Sequence, residues 1–262
     1  MNFSFQERYR AGDSLLHRLD PRIKVVVTLV LIVGIVMTPP AAWPAYALLW
    51  ALLGGLALLG RLGFWRVART AGLALPFSLA AATLMFTTPG NEVLRVFGLV
   101  VSDAGLARFA AILLKSWLAV QAALLLAMTT PFTDLLWALA SLRLPQTLVA
   151  IIGLMYRYLF TLRDEAERLM RARAARSGSL ANHRSGGGLG WRARVAGGMV
   201  GSLFLRSYER SERVYAAMLA RGYTGRMRAL DPPPLRWQAV VLGGVPLAAL
   251  AIIQLLAARW WA

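Results

Sequence analysis

Apolar runs of bilayer length constrain this chain more than any other feature of its sequence. They occupy residues 23–38, 45–60, 67–88, 106–130 and 237–258. Crossing the hydrocarbon core takes roughly 20 mainly apolar residues in a helix, which satisfies its own backbone where no water is present. The breaks between runs are plain: Thr38-Pro39-Pro40 with Trp43-Pro44, the stretch from Arg61 to Arg66, Pro89-Gly90, Pro131, and Pro232-Pro233-Pro234. Composition agrees, since 58% of the 262 residues are hydrophobic and the mean hydropathy is +0.57, above the soluble range. The pattern predicts an all-α membrane protein with about five transmembrane helices. No small-residue cleavage site follows the first run, so a removed signal peptide is not expected.

The formal net charge is +17. Between Pro131 and Arg236 there are 17 Arg against 7 acids, so more than half of the excess lies in one stretch flanked by apolar runs. That placement fits a cytoplasmic segment under the positive-inside rule, and not a nucleic-acid-binding domain. The loops alternate in the same sense. The N-terminal segment carries Arg8, Arg10, Arg18, Arg22 and Lys24, and the first connection has no charge. The second connection holds Arg61, Arg66 and Arg69, and the third holds Glu92, Arg95 and Asp103. The expected organisation is residues 1–130 as an N-terminal segment with four spans, 131–236 as a cytoplasmic module, and 237–262 as the last span. The N-terminus is expected inside a bacterial or archaeal cell membrane and the C-terminus outside.

Within 131–236 the apolar period changes. Residues 147–160 are apolar nearly all round, and from Met155 onward the apolar positions thin to Tyr158, Leu159, Leu162, Ala166, Leu169 and Met170. That spacing of three and four makes an amphipathic helix. Asp164 with Arg168, Glu167 with Arg171, and Glu209 with Arg213 stand four apart with the acid first, the favourable order. Ser177 to Gly190 is rich in Gly and Ser, as a flexible linker is, and a second amphipathic helix is expected from about Trp191 to Arg221. Met155, Leu162, Leu203, Phe204 and Tyr208 are expected to pack the two helices together.

The two helices close on similar sequences. ERLMRARAARSG at 167–178 and ERVYAAMLARGYTG at 212–225 align at an offset of 45. Glu167-Arg168 meets Glu212-Arg213, Ala175-Arg176 meets Ala220-Arg221, and Asp164 faces Glu209. Alanine keeps the last turn narrow, arginine offers a planar fork of donors, and glycine ends a helix in the left-handed conformation. One such tip is an ordinary helix end. Two in one chain point to duplicate receptors, such as a two-fold symmetric partner supplies.

With four apolar runs before them and one after, these endings resemble the transmembrane T protein of energy-coupling factor (ECF) transporters. RYLFTLRDEAERLMRARAAR and RSYERSERVYAAMLARGYTG are similar to its cobalt-transport (CbiQ) branch. The resemblance spans most of the chain and is sharpest over 155–225. It implies that Ala175, Arg176, Ser177 and Gly178 form one docking tip and Ala220, Arg221 and Gly222 the other, each on one subunit of a cytoplasmic ABC ATPase pair. Glu167, Arg168, Glu212, Arg213, Asp164 and Glu209 would support the coupling helices. It also implies a separate substrate-binding membrane subunit (S component), with cobalt as cargo and nickel or a vitamin as alternatives. The first tip departs from the pattern, reading Ala-Arg-Ser with glycine only at 178.

Other chemistry has no candidates. No G-x-x-x-x-G-K-[ST] motif occurs, so ATP and Mg are expected on the partner ATPase and no cofactor on this chain. The run Gly186-Gly187-Gly188-Leu189-Gly190 follows no strand and reads as linker. His17 and His183 lie in separate polar segments, and no Ser-His-Asp or paired-carboxylate arrangement is evident. The chain is therefore expected to be non-catalytic, with membrane lipid and transporter subunits as partners and no nucleic acid. A self-contained secondary transporter would need more charges inside its spans than Lys115 and Arg108.

Overall fold

The computed structural model describes residues 12–83, 87–89, 92–96, 99–176, 188–225 and 237–260. The chain divides into two compact units, Met1–Leu142 with Asp231–Ala262, and Arg143–Leu230. The first unit holds α1 (Leu15–Arg18), α2 (Pro21–Met37), α3 (Trp43–Leu59), α4 (Phe64–Ala71), α5 (Leu75–Ser78), α6 (Asp103–Thr129), α7 (Phe132–Ser141) and α10 (Trp237–Trp260). The second holds α8 (Gln146–Arg176) and α9 (Leu189–Ala220). This is an all-α membrane protein.

Helices α6 and α10 are long and apolar enough to cross a membrane. Helices α2 and α3 have 17 residues each, about 25 Å at 1.5 Å per residue, near the short limit for a span. The run at 67–88, expected as one span, is instead divided. After α4 come a 3-10 turn at Gly72–Ala74, the single turn α5, and a second 3-10 stretch at Leu79–Thr83. Pro76 has no N–H to donate to the preceding turn, and Gly72 resists helix, so a continuous α-helix fails there. One small element outside the helical expectation is an antiparallel pair, β1 (Glu92–Val96) with β2 (Leu99–Ser102). Its valines favour strand, and Ser102 then caps α6 by accepting from the Gly105 N–H at 3.0 Å.

The core joins α2, α3, α6 and α10 through Leu31, Ile35, Leu49, Leu53, Leu118 and Leu250, all at most 5% exposed. Two lysines brace the antiparallel pair α2 and α6 at opposite ends. Lys24 Nζ donates to the Thr129 carbonyl, in the last turn of α6, and to the His17 carbonyl, each at 3.2 Å. Lys115 Nζ, on α6, donates to the Val36 carbonyl in the last turn of α2 at 2.9 Å. Final-turn carbonyls lack helical partners, and an ammonium suits the negative end of the helix dipole. Lys115 is thus bound to a backbone carbonyl of its neighbour helix.

Helix α10 runs parallel to α2 and close to it. A Cβ at Gly243 would collide with Ile23, and one at Gly34 would lie 2.7 Å from Leu250. Gln254 Nε2 donates to the Gly34 carbonyl at 2.6 Å and to Thr38 Oγ1 at 3.0 Å. Small residues at the seam and an interhelical amide are the usual means of association in lipid, where water gives no hydrophobic drive. Helix α7 lies against α2 by stacking Trp137 under the Arg22 guanidinium, 4.2 Å from the ring centre.

Candidate functional site

Helices α8 and α9 form an antiparallel pair. Arg173 lies 5.9 Å from the Trp191 ring centre, Glu165 meets Arg206 and Arg210, and Thr147 and Ala150 share one groove with Met218 and Tyr223. Their C-terminal tips therefore point to opposite ends of the pair. Arg221 lies across from the first turn of α8, so at 1.5 Å per residue it stands about 40 Å from Arg176. Both arginines are exposed, as are Ala175 and Ala220.

The second tip is fully defined. Arg221 is the C-cap of α9 and Gly222 follows with φ +79°. The Gly222 N–H donates to the Leu219 carbonyl at 2.9 Å and the Tyr223 N–H to the Met218 carbonyl at 3.0 Å. This double bond pattern is a Schellman ending, whose left-handed residue favours glycine. Tyr223 and Met218 both line the groove, at the two positions whose apolar contact accompanies such endings. The arginine is thereby held on a rigid stop. At the first tip α8 continues to Arg176, its last residue, while Ser177 and Gly178 lie outside the described residues.

The supporting charges are arranged differently from the acid-first expectation at one point. Glu167 pairs with Arg163 at 3.0 Å and with Arg171 at 3.6 Å, and Glu209 with Arg213 at 3.9 Å. Arg168 reaches the Asp164 backbone carbonyl at 3.3 Å instead of its carboxylate. Exposed pairs of this kind contribute about 0.3–0.5 kcal/mol each. Glu212 projects from the exposed face of α9.

The helix–helix contact also differs. Phe204 and Tyr208 are 67% and 56% exposed and stand outside the groove that the helices share, whereas Met155 and Leu162 line it. The inward stripe of α9 instead includes Leu203, Ser207, Arg210, Val214 and Met218, at spacings of four, three, four and four, which turns Phe204 and Tyr208 away. The joint between the helices that acid-first pairing does not single out is Glu165, 9% exposed. Its Oε1 accepts from Arg206 Nη1 at 3.4 Å and its Oε2 from Arg210 Nη2 at 3.2 Å. A signal was present: Tyr158, Leu162, Glu165 and Leu169 follow one inward stripe, where an acid requires a partner. Beyond that joint an apolar groove of about 710 Å³ opens between Ile151, Leu154 and Tyr158 on one side and Val214 and Met218 on the other.

Among the described residues no three His, Asp or Glu side chains converge at metal-binding spacing. His17 Nδ1 shares a 2.6 Å hydrogen bond with Ser14 Oγ, and His183 lies outside the described residues.

Fold and site define a class: a helical membrane protein carrying a paired-helix module with an exposed arginine at each end. Comparison with known proteins supplies the family. The chain belongs to the cobalt transport protein (CbiQ) family, whose family model matches residues 12–230. It is 31% identical over 241 residues to the energy-coupling factor transporter transmembrane protein EcfT of Thermanaerovibrio acidaminovorans, covering 88% of this chain and 87% of that one. It is 29% identical over 245 residues to EcfT of Listeria innocua, with 88% and 89% covered. It is 31% identical over 173 residues to the cobalt transport protein CbiQ of Rhodobacter capsulatus, with 66% and 65% covered.

Proposed function

We propose that this chain is the energy-coupling membrane subunit of an ECF-type ABC importer. The observation that carries the reading is the pair of exposed arginine tips, Arg176 and Arg221, at opposite ends of one antiparallel helix pair. Two cytoplasmic ABC ATPase subunits dock there, each accepting one guanidinium with carboxylates or backbone carbonyls, which match its planar fork. ATP and Mg belong to those subunits, and this chain contributes no catalytic group. Approach of the ATPases on binding ATP moves the tips, and the joint at Glu165 passes that motion from one helix to the other. A separate substrate-binding membrane subunit receives the motion and releases its cargo. Cobalt is the proposed cargo, supported by the family description and by the Rhodobacter capsulatus relative. The module faces the cytoplasm with the N-terminus, supported by its net positive charge. The C-terminus lies outside, supported by the parallel course of α2 and α10.

The test is Arg176→Glu with Arg221→Glu in the assembled transporter, purified through a tag on this chain. ATPase recovery and cobalt uptake are expected to fall together. Undiminished recovery of the ATPase subunits would sink the docking assignment.

A further inference from the structure

A polar pocket and an apolar cavity meet at the end of α3, and together they have the form of an amphiphile. The pocket, about 370 Å³, is lined by Asp13, Ser14, Arg18 and Arg61 on its polar side and by Leu58 and Leu59 on the other. The cavity, about 170 Å³, shares Leu15 and Leu59 with it as walls and continues between α2 and α3 to Leu31 and Leu53. Along α3 the stretch from Leu59 to Leu53 is about 9 Å at 1.5 Å per residue. Leu15, Leu58 and Leu59 are 61%, 66% and 55% exposed, so an apolar surface stands bare beside two guanidinium groups. The site lies at the basic end of the membrane unit, which also holds Arg22 and Lys24.

Arg61 is held there against backbone preference. It follows the C-cap of α3 with φ +52°, while its N–H donates to the Leu58 carbonyl at 2.9 Å and the Leu62 N–H donates to the Ala57 carbonyl at 3.1 Å. That is the position where glycine is preferred, and glycine stands at 60 and 63 instead. Among the described residues its guanidinium has neither an ion-pair nor a hydrogen-bond partner. Arg18, which lines the pocket, is held side-on by Asp13, Nε to Oδ1 at 3.1 Å and Nη2 to Oδ2 at 3.0 Å, and its Nη1 takes no part in that pair. With Asp13 counted, the pocket retains one net positive charge.

We propose that this is a binding site for one anionic phospholipid. The headgroup phosphate sits between Arg61, Arg18 and the Ser14 hydroxyl, and one acyl chain enters the cavity past Leu15 and Leu59. A soluble anion would satisfy the arginines and leave the leucines bare. An acidic protein segment would leave the cavity unfilled. A phospholipid meets both demands at the depth where a bilayer supplies it.

The experiment uses the full chain, delipidated in a zwitterionic detergent. Its melting temperature is followed against added palmitoyl-oleoyl phosphatidylglycerol, the matching phosphatidylcholine, or inorganic phosphate. Phosphatidylglycerol is expected to raise the melting temperature saturably, and the other two to do so little. In Arg61→Gln the apparent affinity should fall about tenfold, as for one lost charge-assisted contact. Arg61→Gly relieves the positive φ, so it should melt no lower than the parent without lipid while losing the phosphatidylglycerol shift. Loss of the site is thereby separated from loss of fold. Equal shifts from both lipids, an equal shift from phosphate alone, or an undiminished shift in both variants would each overturn the assignment.

Discussion

Glu165→Gln is the most informative single change in the helix pair. The amide keeps the shape of the carboxylate and removes its charge, leaving Arg206 and Arg210 facing each other. At an effective dielectric near 20, each contact would be worth about 4 kcal/mol before screening. The side chains of Arg206 and Arg210 are 57% and 32% exposed, and that of Glu165 12%. Solvent reduces the Arg206 contact to less than about 1 kcal/mol, and the Arg210 contact keeps about 1–2 kcal/mol. The expected loss is about 2 kcal/mol, close to a thirtyfold shift toward separated helices. The chain has no cysteine, so spin labels can be placed without background at Gln146→Cys and Ala216→Cys, exposed positions at the groove end. Electron–electron distance measurements should give one narrow distribution in the parent and a broad or longer one in Glu165→Gln. Glu165→Asp should fall between them. If Glu165→Gln left both the distribution and the melting temperature unchanged, the apolar groove would be holding the helices and the joint would carry no coupling.

Lys115→Met and Lys24→Met should each lower the melting temperature by unpairing a final-turn carbonyl, at about 1–2 kcal/mol apiece. Uptake per folded molecule should survive Lys115→Met, and its loss with unchanged melting would place Lys115 in a transport path. Gly222→Val forces a β-branched residue into the left-handed region at a cost of about 1–2 kcal/mol. It should fray the end of α9, seen as faster amide exchange at Met218 to Tyr223, and weaken ATPase recovery more than Gly225→Ala does. His17 is held below its ordinary value of 6.5, first by burial and then by the Lys24 charge. The unfolded chain therefore binds the proton more readily, so stability is present above about pH 6.5 and declines as pH falls through that value. Melting at pH 7.5 against pH 5.5 should show that decline, and His17→Gln should remove it.

Four of the five apolar runs correspond to helices, because a run such as 106–130 has the length and composition that lipid demands and nothing inside it to stop a helix. The run at 67–88 misled because hydropathy counts Pro76 as one more apolar residue, whereas the backbone counts a missing N–H. The tips were legible through their repetition, and the alanine–arginine–glycine order at 220–222 maps directly onto a Schellman ending. The joint at Glu165 was hidden among acids that face solvent. Its distinction is phase, one position in an inward stripe, and its partners stand 41 and 45 residues away. Phe204 and Tyr208 fall outside the helix–helix contact because phase, and not bulk, decides which face of α9 turns inward.

The seam between α2 and α10 has a consequence for how the protein is made. The partners of Gln254 are Gly34 and Thr38, some 220 and 216 residues earlier in the chain. During synthesis α2 must wait in the bilayer, with the Gly34 face and the Thr38 cap not yet covered by α10, until the whole paired-helix module has been translated. Only then does the last helix arrive to close the bundle. A chain truncated anywhere within or before the module would keep that polar, glycine-lined face open to lipid, a mark by which membrane quality control can tell an unfinished subunit from a finished one.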